Sequence, residues 1–529
     1  MNNVSARLAG VMGAIWLAGS LAGCSGKTPL QTEQPGSVTL RATGLPITER
    51  PVTLQMAGLY GLSGQKPFGQ LPFFQEAERR TNVRVEWLMN GANGWPEKKN
   101  LMFSSGELPD AFYGHYALSN QEVIRYGTQG VLIPLEKLIE QYAPNLNRIL
   151  ERSPEYRKEL TAPDGHIYSL PTIDESYPSS KDSLFINKRW LDQLGLPLPE
   201  TTEQFLEALR AFKANDMNKN GKPDEIPFTF RIHGNTGIYS MFGSFGLTDK
   251  QDHIVLRDGK VLFSPVQPEY REAVRYFRRL FEEGLIDREA FTQDSNVYST
   301  KIRTGLGKIG AFSGWSLHSY FESIETSDYV PLPPLQGPKG DRLWNRGAVG
   351  LLSKGAFAIT SSNRYPEVTM RWIDYMYDPL VSLQAMNGNV RDREDGSLEI
   401  VPAPEGMTAG EYRHLVSPGS TSVFAVTKDI SAKLLESPAS KEKKALDRLY
   451  APYMEKDIYP NVYFTAEENE KRSRYYTDID AYVSAMLVKW IVQGGVDSEW
   501  DEYVRKLGDM GLGQVMDVYE QAYARYKGK

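Results

Sequence analysis

A short stretch in the middle of the chain carries oxygen-bearing side chains at regular intervals. Counting from Asp216, aspartate or asparagine occupies loop positions 1, 3, 5 and 9, and Gly221 at position 6 permits a sharp turn. A calcium ion needs about six to eight oxygen ligands, which alternate residues of a tight loop can supply. We therefore expect structural calcium, held by Asp216, Asn218, Asn220, Lys222 through its carbonyl oxygen, Asp224 and Glu225.

This loop differs from the usual calcium-binding pattern at position 12, which is Pro227. Proline has no side-chain ligand, so Glu225 at position 10 would have to supply the bidentate carboxylate. The alternative is an ordinary turn after a helix, in which Asn220 and Gly221 make the bend and the charged groups face water.

The only cysteine, Cys24, follows an apolar N-terminal run from Leu8 to Gly23. At about 16 residues this run is typical of a signal peptide and shorter than the roughly 20 residues of a membrane-spanning helix. The sequence Leu21-Ala22-Gly23-Cys24 resembles the bacterial lipobox, in which the cysteine is acylated. We expect residues 1–23 to be a lipoprotein signal peptide and residues 24–50 a lipidated tether. An ordinary secreted protein is the alternative.

The composition is that of a soluble globular chain. Its 529 residues are 41% hydrophobic and 24% charged, enough for two to four lobes with separate cores. The net charge of −6 gives no reason to expect a nucleic acid as partner. A single cysteine excludes an intrachain disulfide, and the six histidines show no spacing typical of metal ligands.

Strands and helices alternate along the part of the chain that must position these residues. Val52–Met56 has the pattern of a strand, Phe73–Thr81 that of a helix, and residues 83, 85 and 87 alternate as in a second strand. Tyr270–Glu283 is a strongly amphipathic helix, and the chain is mostly helical from Ile479 onward. This order predicts an α/β protein with a parallel or mixed sheet. Because no Pro/Ser linker divides the body, we expect the lobes to be interwoven.

Eight short motifs resemble, in order, those of the extracellular solute-binding proteins (family 1 type) of ABC importers. They are Ser104–Asp110, Gly130–Leu135, Asp164–Tyr168 with Leu170-Pro171, Leu184–Lys188, Glu283–Ile286, Gly307–Phe312, Ala356–Thr360 and Trp500–Tyr503. The resemblance covers roughly residues 50 to 525. The length and the calcium loop are most similar to lipoproteins that bind oligosaccharides, including alginate-oligosaccharide binders, which share the displaced acidic residue of the loop.

The resemblance implies a two-lobed, periplasmic-binding-protein-like fold of type II. The lobes would be joined by a hinge of several segments, with the ligand in the cleft between them. We expect residues 51–175 and 352–420 to form the N-terminal lobe, and residues 176–351 and 421–529 the C-terminal lobe. Loops at the carboxyl ends of sheet strands line such clefts.

Aromatic and basic residues in expected loops are the candidate ligand contacts. Sugar rings have apolar faces that stack on aromatic side chains, and guanidinium groups bind carboxylates such as those of uronates. Trp315 is the strongest candidate, because it follows the expected strand Ile309–Phe312, where sugar-binding relatives place a stacking aromatic residue. The other candidates are Trp95, Trp344, Tyr113, His115, Tyr116, Arg231 and Arg346. The alternatives are core packing for the aromatic residues and hydrated surface positions for the arginines.

The resemblance implies a monomeric, lipid-anchored receptor on the extracytoplasmic face of the cell membrane. It would capture an oligosaccharide, with uronate-containing sugars as one candidate class, close around it and present it to the ABC permease. We expect no catalytic residues. The alternatives are a binder of peptides or other polar solutes, a secreted carbohydrate-active enzyme, whose carboxylate pair a sequence cannot exclude, and a surface adhesin.

Overall fold

The structure is a computed structural model. It describes residues 39–41, 43–60, 66–91, 94–176, 180–232, 237–305, 307–321, 324, 327–347 and 350–528. The expected signal peptide, Cys24 and most of the expected tether lie outside the described residues.

Short strands are distributed along the first four fifths of the chain. They are β1 (Val52–Tyr60), β2 (Val83–Gly91), β3 (Ala111–Tyr113), β4 (Leu170–Asp174), β5 (Ser183–Asn187), β6 (Ile226–Thr229), β7 (Ile254–Arg257), β8 (Lys260–Phe263), β9 (Ile309–Gly314), β10 (Tyr329–Leu332), β11 (Gly350–Ile359), β12 (Val390–Asp392), β13 (Leu398–Ile400) and β14 (Ala425–Val426).

Helices connect these strands and make up the C-terminal part of the chain. They are α1 (Pro72–Thr81), α2 (Trp95–Ser105), α3 (Asn120–Thr128), α4 (Glu136–Tyr142), α5 (Pro144–Arg152), α6 (Pro154–Leu160), α7 (Lys188–Leu194), α8 (Thr202–Ala214), α9 (Pro268–Glu282), α10 (Ser295–Thr304), α11 (Pro366–Met376), α12 (Pro379–Asn387), α13 (Ala409–Val416), α14 (Lys428–Lys433), α15 (Pro438–Tyr450), α16 (Ala466–Gln493), α17 (Val496–Asp509) and α18 (Leu512–Gly528).

The helices begin where the sequence provides capping groups. Ser119 and Glu122 form a capping box at the start of α3, and Thr201 with Gln204 does the same for α8. Several others, including α1 and α9, begin with proline, whose missing N–H costs nothing at this position. In each case the sequence satisfies donors that the first turn of a helix leaves unpaired.

The first sheet of the described chain has six strands in the order β14-β4-β11-β3-β1-β2. β1 is parallel to both β2 and β3, whereas β11 runs antiparallel between β3 and β4. Val52, Leu54 and Met56 are buried, while Thr53 and Gln55 between them are exposed. This period of two turns the apolar side chains of β1 towards the core, as the sequence pattern predicts.

The second sheet has four strands in the order β10-β5-β9-β6. β5 runs antiparallel to both β10 and β9, and β6 is parallel to β9. Every residue of β5 and β9 is buried, so the centre of this sheet is covered on both faces. The amphipathic helix α9 lies in the same core through Val274, Phe277 and Leu280.

The buried apolar residues divide between the two sheets. One core surrounds the second sheet and includes Trp490 and Tyr503 from the C-terminal helices. Another surrounds the first sheet and includes Trp372 of α11. The chain therefore forms two α/β lobes, which confirms the predicted fold. No helix among the described residues is long and apolar enough to span a membrane.

In the described chain up to α15, three segments cross between the lobes. Residues 175–182 join β4 to β5, and residues 333–349 join β10 to β11. The third crossing comes after β14, which still pairs with β4 of the first sheet. The expected lobe boundary between residues 420 and 421 is therefore too early, because a two-residue strand carries too little pattern to be recognised in the sequence.

After this third crossing the chain touches the first lobe again. Tyr463 is buried in a cluster of the first lobe, and its hydroxyl lies 3.0 Å from the Ser169 hydroxyl. The long helix α16 follows, and its later residues, such as Trp490, are in the core of the second lobe. A rigid helix thus runs from one lobe to the other beside the crossings.

Candidate functional site

In each sheet, several strands end at the edge that faces the segments crossing between the lobes. Asp174, where the first crossing leaves β4, pairs with Gly350, where the second crossing enters β11. In the second sheet, Ser183 at the start of β5 pairs with Gly314 at the end of β9. Residues that follow β9 or precede β5 are therefore next to the hinge, where ligand clefts of open α/β sheets form.

In the first lobe, a tight turn after β3 carries an exposed aromatic side chain at this edge. Tyr116 is 67% exposed, and its φ of 64° is in the left-handed region. Its backbone N–H donates to the Ser353 hydroxyl of β11 at 3.3 Å, which places the turn beside the second crossing. The ring is thus presented to solvent next to the hinge.

The ring of the neighbouring His115 packs against the Tyr116 ring. The two rings meet edge to face, with centroids 4.0 Å apart. Burial lowers the pKa of His115 to about 4, so the imidazole is neutral at physiological pH. Its Nδ1 is buried and has no hydrogen-bond partner among the described residues. The pair is therefore an uncharged aromatic surface.

In the second lobe, Trp315 follows β9 directly, as the sequence predicts. Its side chain is partly buried, and the ammonium of Lys443 lies 4.0 Å from the ring centroid. The lobes thus each contribute an aromatic residue from the carboxyl end of a strand, Tyr116 after β3 and Trp315 after β9.

A cavity of about 250 Å³ lies in the second lobe at the start of β5. Its lining includes the polar side chains of Lys181, Asp182, Tyr239, Ser240, Asn345 and Arg346. Asp182 is buried and accepts from the Ser240 hydroxyl at 2.8 Å, and burial raises its pKa to about 7. Burial lowers the pKa of Lys181 to about 8. These shifts show that charged groups have been withdrawn from water beside the hinge.

Lys181 and Asp182 were not predicted as site residues, because charged residues before an apolar strand usually face water. The available signal was their position between two fully buried strands, β4 and β5. Arg346, which the sequence did predict, joins them in the cavity lining, and it donates to the Lys456 carbonyl at 3.1 Å.

Three of the predicted aromatic contacts are buried. Trp95 is 3% exposed and donates to the Ala117 carbonyl at 2.9 Å, and it begins α2, so the expectation that it lies in a loop is wrong. Trp344 is 2% exposed and stacks on Tyr450 with centroids 4.8 Å apart. Tyr113 ends β3 and has no exposed surface. Packing in the protein interior accounts for the burial of all three side chains. Ligand contact by these three residues stays a prediction.

Arg231 lies two residues beyond the end of β6, on the hinge-facing edge. It is partly buried, and its Nε has no hydrogen-bond partner within the described residues. Its positive charge lowers the pKa of Tyr320, although burial of that tyrosine has the larger, opposite effect. The guanidinium is thus at the position where the sequence predicts a ligand contact, beside an aromatic residue.

The predicted calcium loop connects α8 to β6. The Asp216 carboxylate accepts from the backbone N–H groups of Asn220 at 3.1 Å and Gly221 at 2.7 Å. Asn218 and Asn220 turn their amide groups to Asp224 at 2.9 and 3.0 Å. Gly221 has a φ of 74°, as the predicted sharp turn requires. The side chains at positions 1, 3, 5 and 9 therefore converge.

This arrangement suits a hard cation. The Lys308 ammonium lies 2.7 Å from Asp224 and, with the two amides, holds the pKa of that carboxyl well below its usual range. No three His, Cys, Asp or Glu side chains in the described part of the chain form a metal-binding group. A bound cation would therefore need the amide oxygens of Asn218 and Asn220 as well, and calcium accepts such mixed oxygen ligands. Glu225 instead accepts from the Met217 N–H at 2.8 Å.

Comparison with known proteins identifies the family. Residues 63–379 match the protein family described as "Bacterial extracellular solute-binding protein". The fructooligosaccharide ABC transporter substrate-binding protein FusA of Streptococcus pneumoniae is 35% identical, over 97% of this chain and 98% of FusA. The chain belongs to the bacterial extracellular solute-binding proteins. The family resemblance of the sequence motifs is thus confirmed.

Solved structures extend the comparison of this solute-binding protein with FusA. FusA in complex with kestose matches with a TM-score of 0.78 and 34% identity, over 90% of this chain and 99% of that one. A FusA EF-hand mutant in complex with fructo-nystose matches with a TM-score of 0.79, 33% identity and the same coverage. The polygalacturonan/rhamnogalacturonan-binding protein YtcQ of Bacillus subtilis is 23% identical, over 97% of each chain.

Proposed function

We propose that this solute-binding protein captures an oligosaccharide between its two lobes and delivers it to the permease of an ABC importer. The observation that carries the proposal is the similarity to FusA, which spans nearly the whole of both chains and therefore includes both lobes and the segments between them. Binding would shift the lobes towards a closed state because a sugar that touches both of them favours that state.

Residues at the hinge-facing edge have the chemistry that this role needs. Tyr116 from one lobe and Trp315 from the other offer aromatic faces for sugar rings. The cavity at the start of β5 offers Asp182, Asn345 and Arg346 to sugar hydroxyls. We propose Tyr116, His115, Trp315, Arg231 and Arg346 as ligand contacts.

We propose a neutral, fructose-containing oligosaccharide as the ligand. FusA, the relative named for such sugars, is 35% identical to this chain, whereas the pectin-binding relative YtcQ is 23% identical. An acidic oligosaccharide is the second candidate, because Arg231 and Arg346 both lie on the hinge-facing edge and can pair with carboxylates.

Thermal unfolding in the presence of a sugar panel tests this proposal. The panel contains kestose and nystose, oligogalacturonates, and a tripeptide mixture. A ligand at about 100 times its Kd stabilises a protein by roughly 2.7 kcal/mol, which is a visible shift. We expect a shift with the fructose-containing sugars only. A shift with oligogalacturonates, abolished by Arg231→Gln or Arg346→Gln, would support the acidic candidate, and a shift with peptides alone would exclude both.

We further propose that the protein binds its sugar without cleaving it, acts as a monomer, and is anchored to the extracytoplasmic face of the membrane through acylated Cys24. The relatives are named as binding proteins, and the apolar run before Cys24 resembles a lipoprotein signal. We expect wild-type protein in the membrane fraction of a bacterial host and Cys24→Ser protein in the medium or periplasm. Equal distribution of both proteins would exclude the anchor.

Structural calcium completes the proposal. The close approach of the Asp216, Asn218, Asn220 and Asp224 side chains, and the existence of a FusA EF-hand mutant, both support a cation in the loop of residues 216–225. A calcium ion there would link α8 to the start of β6, at the opposite end of that strand from Arg231, so we assign it a role in stability.

A further inference from the structure

A buried lysine lies against the Trp315 ring. Lys443 of α15 is 7% exposed, and its ammonium is 4.0 Å from the centroid of that ring. The same ammonium donates to the Trp315 carbonyl at 2.9 Å and to the Ser180 carbonyl at 3.3 Å. A cation in this position is attracted to the face of an indole, and more strongly where water is excluded. One charged group thus contacts the ring, the backbone of the same residue and the first crossing between the lobes.

We propose that Lys443 is a positioning residue that fixes the Trp315 indole and ties it to the first crossing, so that the ring is oriented for a sugar before the sugar binds. This inference rests on the proposed function, because it takes Trp315 as a sugar contact. Orienting a side chain in advance raises affinity, since the ordering cost is no longer incurred on binding.

The residue before Lys443 acts on the same loop. The Glu442 carboxylate accepts from the backbone N–H groups of Leu317 at 2.6 Å and His318 at 3.1 Å, and contacts the His318 ring at 2.6 Å. The loop after β9 is therefore held by two neighbouring residues of α15. Glu442 fixes the backbone after Trp315, whereas Lys443 contacts the Trp315 carbonyl and the indole ring.

The surroundings of Lys443 make its charge sensitive to pH. Burial lowers the pKa of Lys443 to about 8, while three carboxylates oppose this effect, Asp447 and Glu442 on the same helix and Asp182 before β5. Lys181 lies close enough for the two ammonium groups to repel. Lys443 is therefore charged at pH 7 and loses its proton as the pH rises through about 8.

Calorimetric titration with kestose, from pH 7 to pH 10, tests the role of Lys443. We expect the affinity of the wild type to fall as the pH rises through about 8. Lys443→Met should bind about tenfold more weakly at pH 7 and show no further fall. Lys443→Arg should keep the affinity at all pH values, because arginine stays charged.

The matched control is Lys181→Met, which removes a lysine of similarly lowered pKa from the same region. The fall of affinity with pH should persist in this variant but move to a higher pH, because the repulsion between the two ammonium groups is gone. The inference is overturned if the fall disappears in Lys181→Met, if Lys443→Met binds as tightly as the wild type at pH 7, or if Trp315→Ala binds kestose without loss.

A second measurement separates this inference from the proposed function. The fluorescence of Trp315, taken as the difference between wild type and Trp315→Phe without sugar, should change as the pH rises through about 8, and Lys443→Met should abolish the change. If the wild type does not bind kestose, the proposed ligand is wrong, and the fluorescence alone then decides whether Lys443 acts on the indole. An unchanged signal across this pH range would overturn the inference.

Discussion

At the scale of single residues, Tyr116 combines exposure with backbone strain. It is the third residue of a four-residue turn that is closed by a hydrogen bond from the Ala117 N–H to the Gly114 carbonyl at 2.9 Å. With positive φ, this turn position favours glycine or asparagine, and a bulky side chain there is an outlier. Strained residues persist where the surrounding structure holds them, and they are concentrated at ligand sites. We attribute the strain to presentation of the ring to a sugar.

Substitutions at Tyr116 can distinguish the effect of its ring on sugar affinity from the effect of its strained backbone on stability. Tyr116→Gly removes both, so we expect kestose affinity to fall about tenfold while the free energy of unfolding rises by about 0.5 to 1 kcal/mol. Tyr116→Ala removes the ring but keeps the strained backbone, so it should lose affinity without that gain. Tyr116→Phe should bind as the wild type. Calorimetry and urea unfolding provide both readouts, and full affinity in Tyr116→Gly would exclude the ring as a contact.

The position of a site residue could be predicted from the sequence only where the residues next to it in the chain form a recognisable helix or strand. Trp315 was located correctly because a recognisable strand precedes it. Trp95 and Trp344 were expected in loops, but carbonyl groups of Ala117 and Asp182 accept from their indole N–H groups and allow burial. Lys443 is nearly 130 positions from Trp315, and no local pattern reveals such a contact.

At the scale of secondary-structure elements, the loop of residues 216–225 connects a helix to a strand inside the second lobe. It joins α8 to β6, which is the edge strand next to β9. Without a cation, its carboxylates are held by backbone N–H groups, amides and Lys308. A bound cation would strengthen the same closed arrangement, because several ligands would then share one ion.

We expect calcium to stabilise the second lobe through this loop. At about 100 times its Kd, calcium should raise the free energy of unfolding by roughly 2.7 kcal/mol relative to chelated protein. Asp224→Ala should lose this gain. The control is Asp258→Ala, which removes an aspartate from the turn between β7 and β8, where φ is 52°. This variant should keep the full stabilisation by calcium. Differential scanning calorimetry measures each case, and an equal calcium shift in Asp224→Ala would place the cation elsewhere.

Long helices and strands were easier to predict from the sequence than short ones. The expected helix at Tyr270–Glu283 corresponds to α9, and the expected strand at Val52–Met56 to β1, because each has enough residues for a clear period. The two-residue strand β14 has no period to detect, which is why the last lobe boundary was expected too early. Burial on both faces removes the alternation from β9, but its continuous apolar run still predicted the strand Ile309–Phe312.

At the scale of the whole molecule, the lobes are linked by contacts beyond the crossings themselves. Lys354 of β11 is buried, lies 3.6 Å from the centroid of the Tyr463 ring, and donates to the Glu159 carbonyl at 3.1 Å. Arg525 of the last helix pairs with Glu468 at the start of α16 at 2.7 Å. The Lys354 contact fixes the C-terminal segment to the first lobe near the crossings, and the Arg525 pair joins α18 to α16, so that lobe movement would be a rotation about this region.

Calorimetric titration of kestose into residues 25–529 at pH 7, followed by chromatography of the recovered sugar, tests the central claim most directly. Capture between two lobes predicts saturable binding of one sugar per protein molecule, loss of affinity in both Tyr116→Ala and Trp315→Ala, and intact kestose afterwards. Absence of heat with kestose and nystose, binding that neither variant weakens, or release of fructose would contradict it.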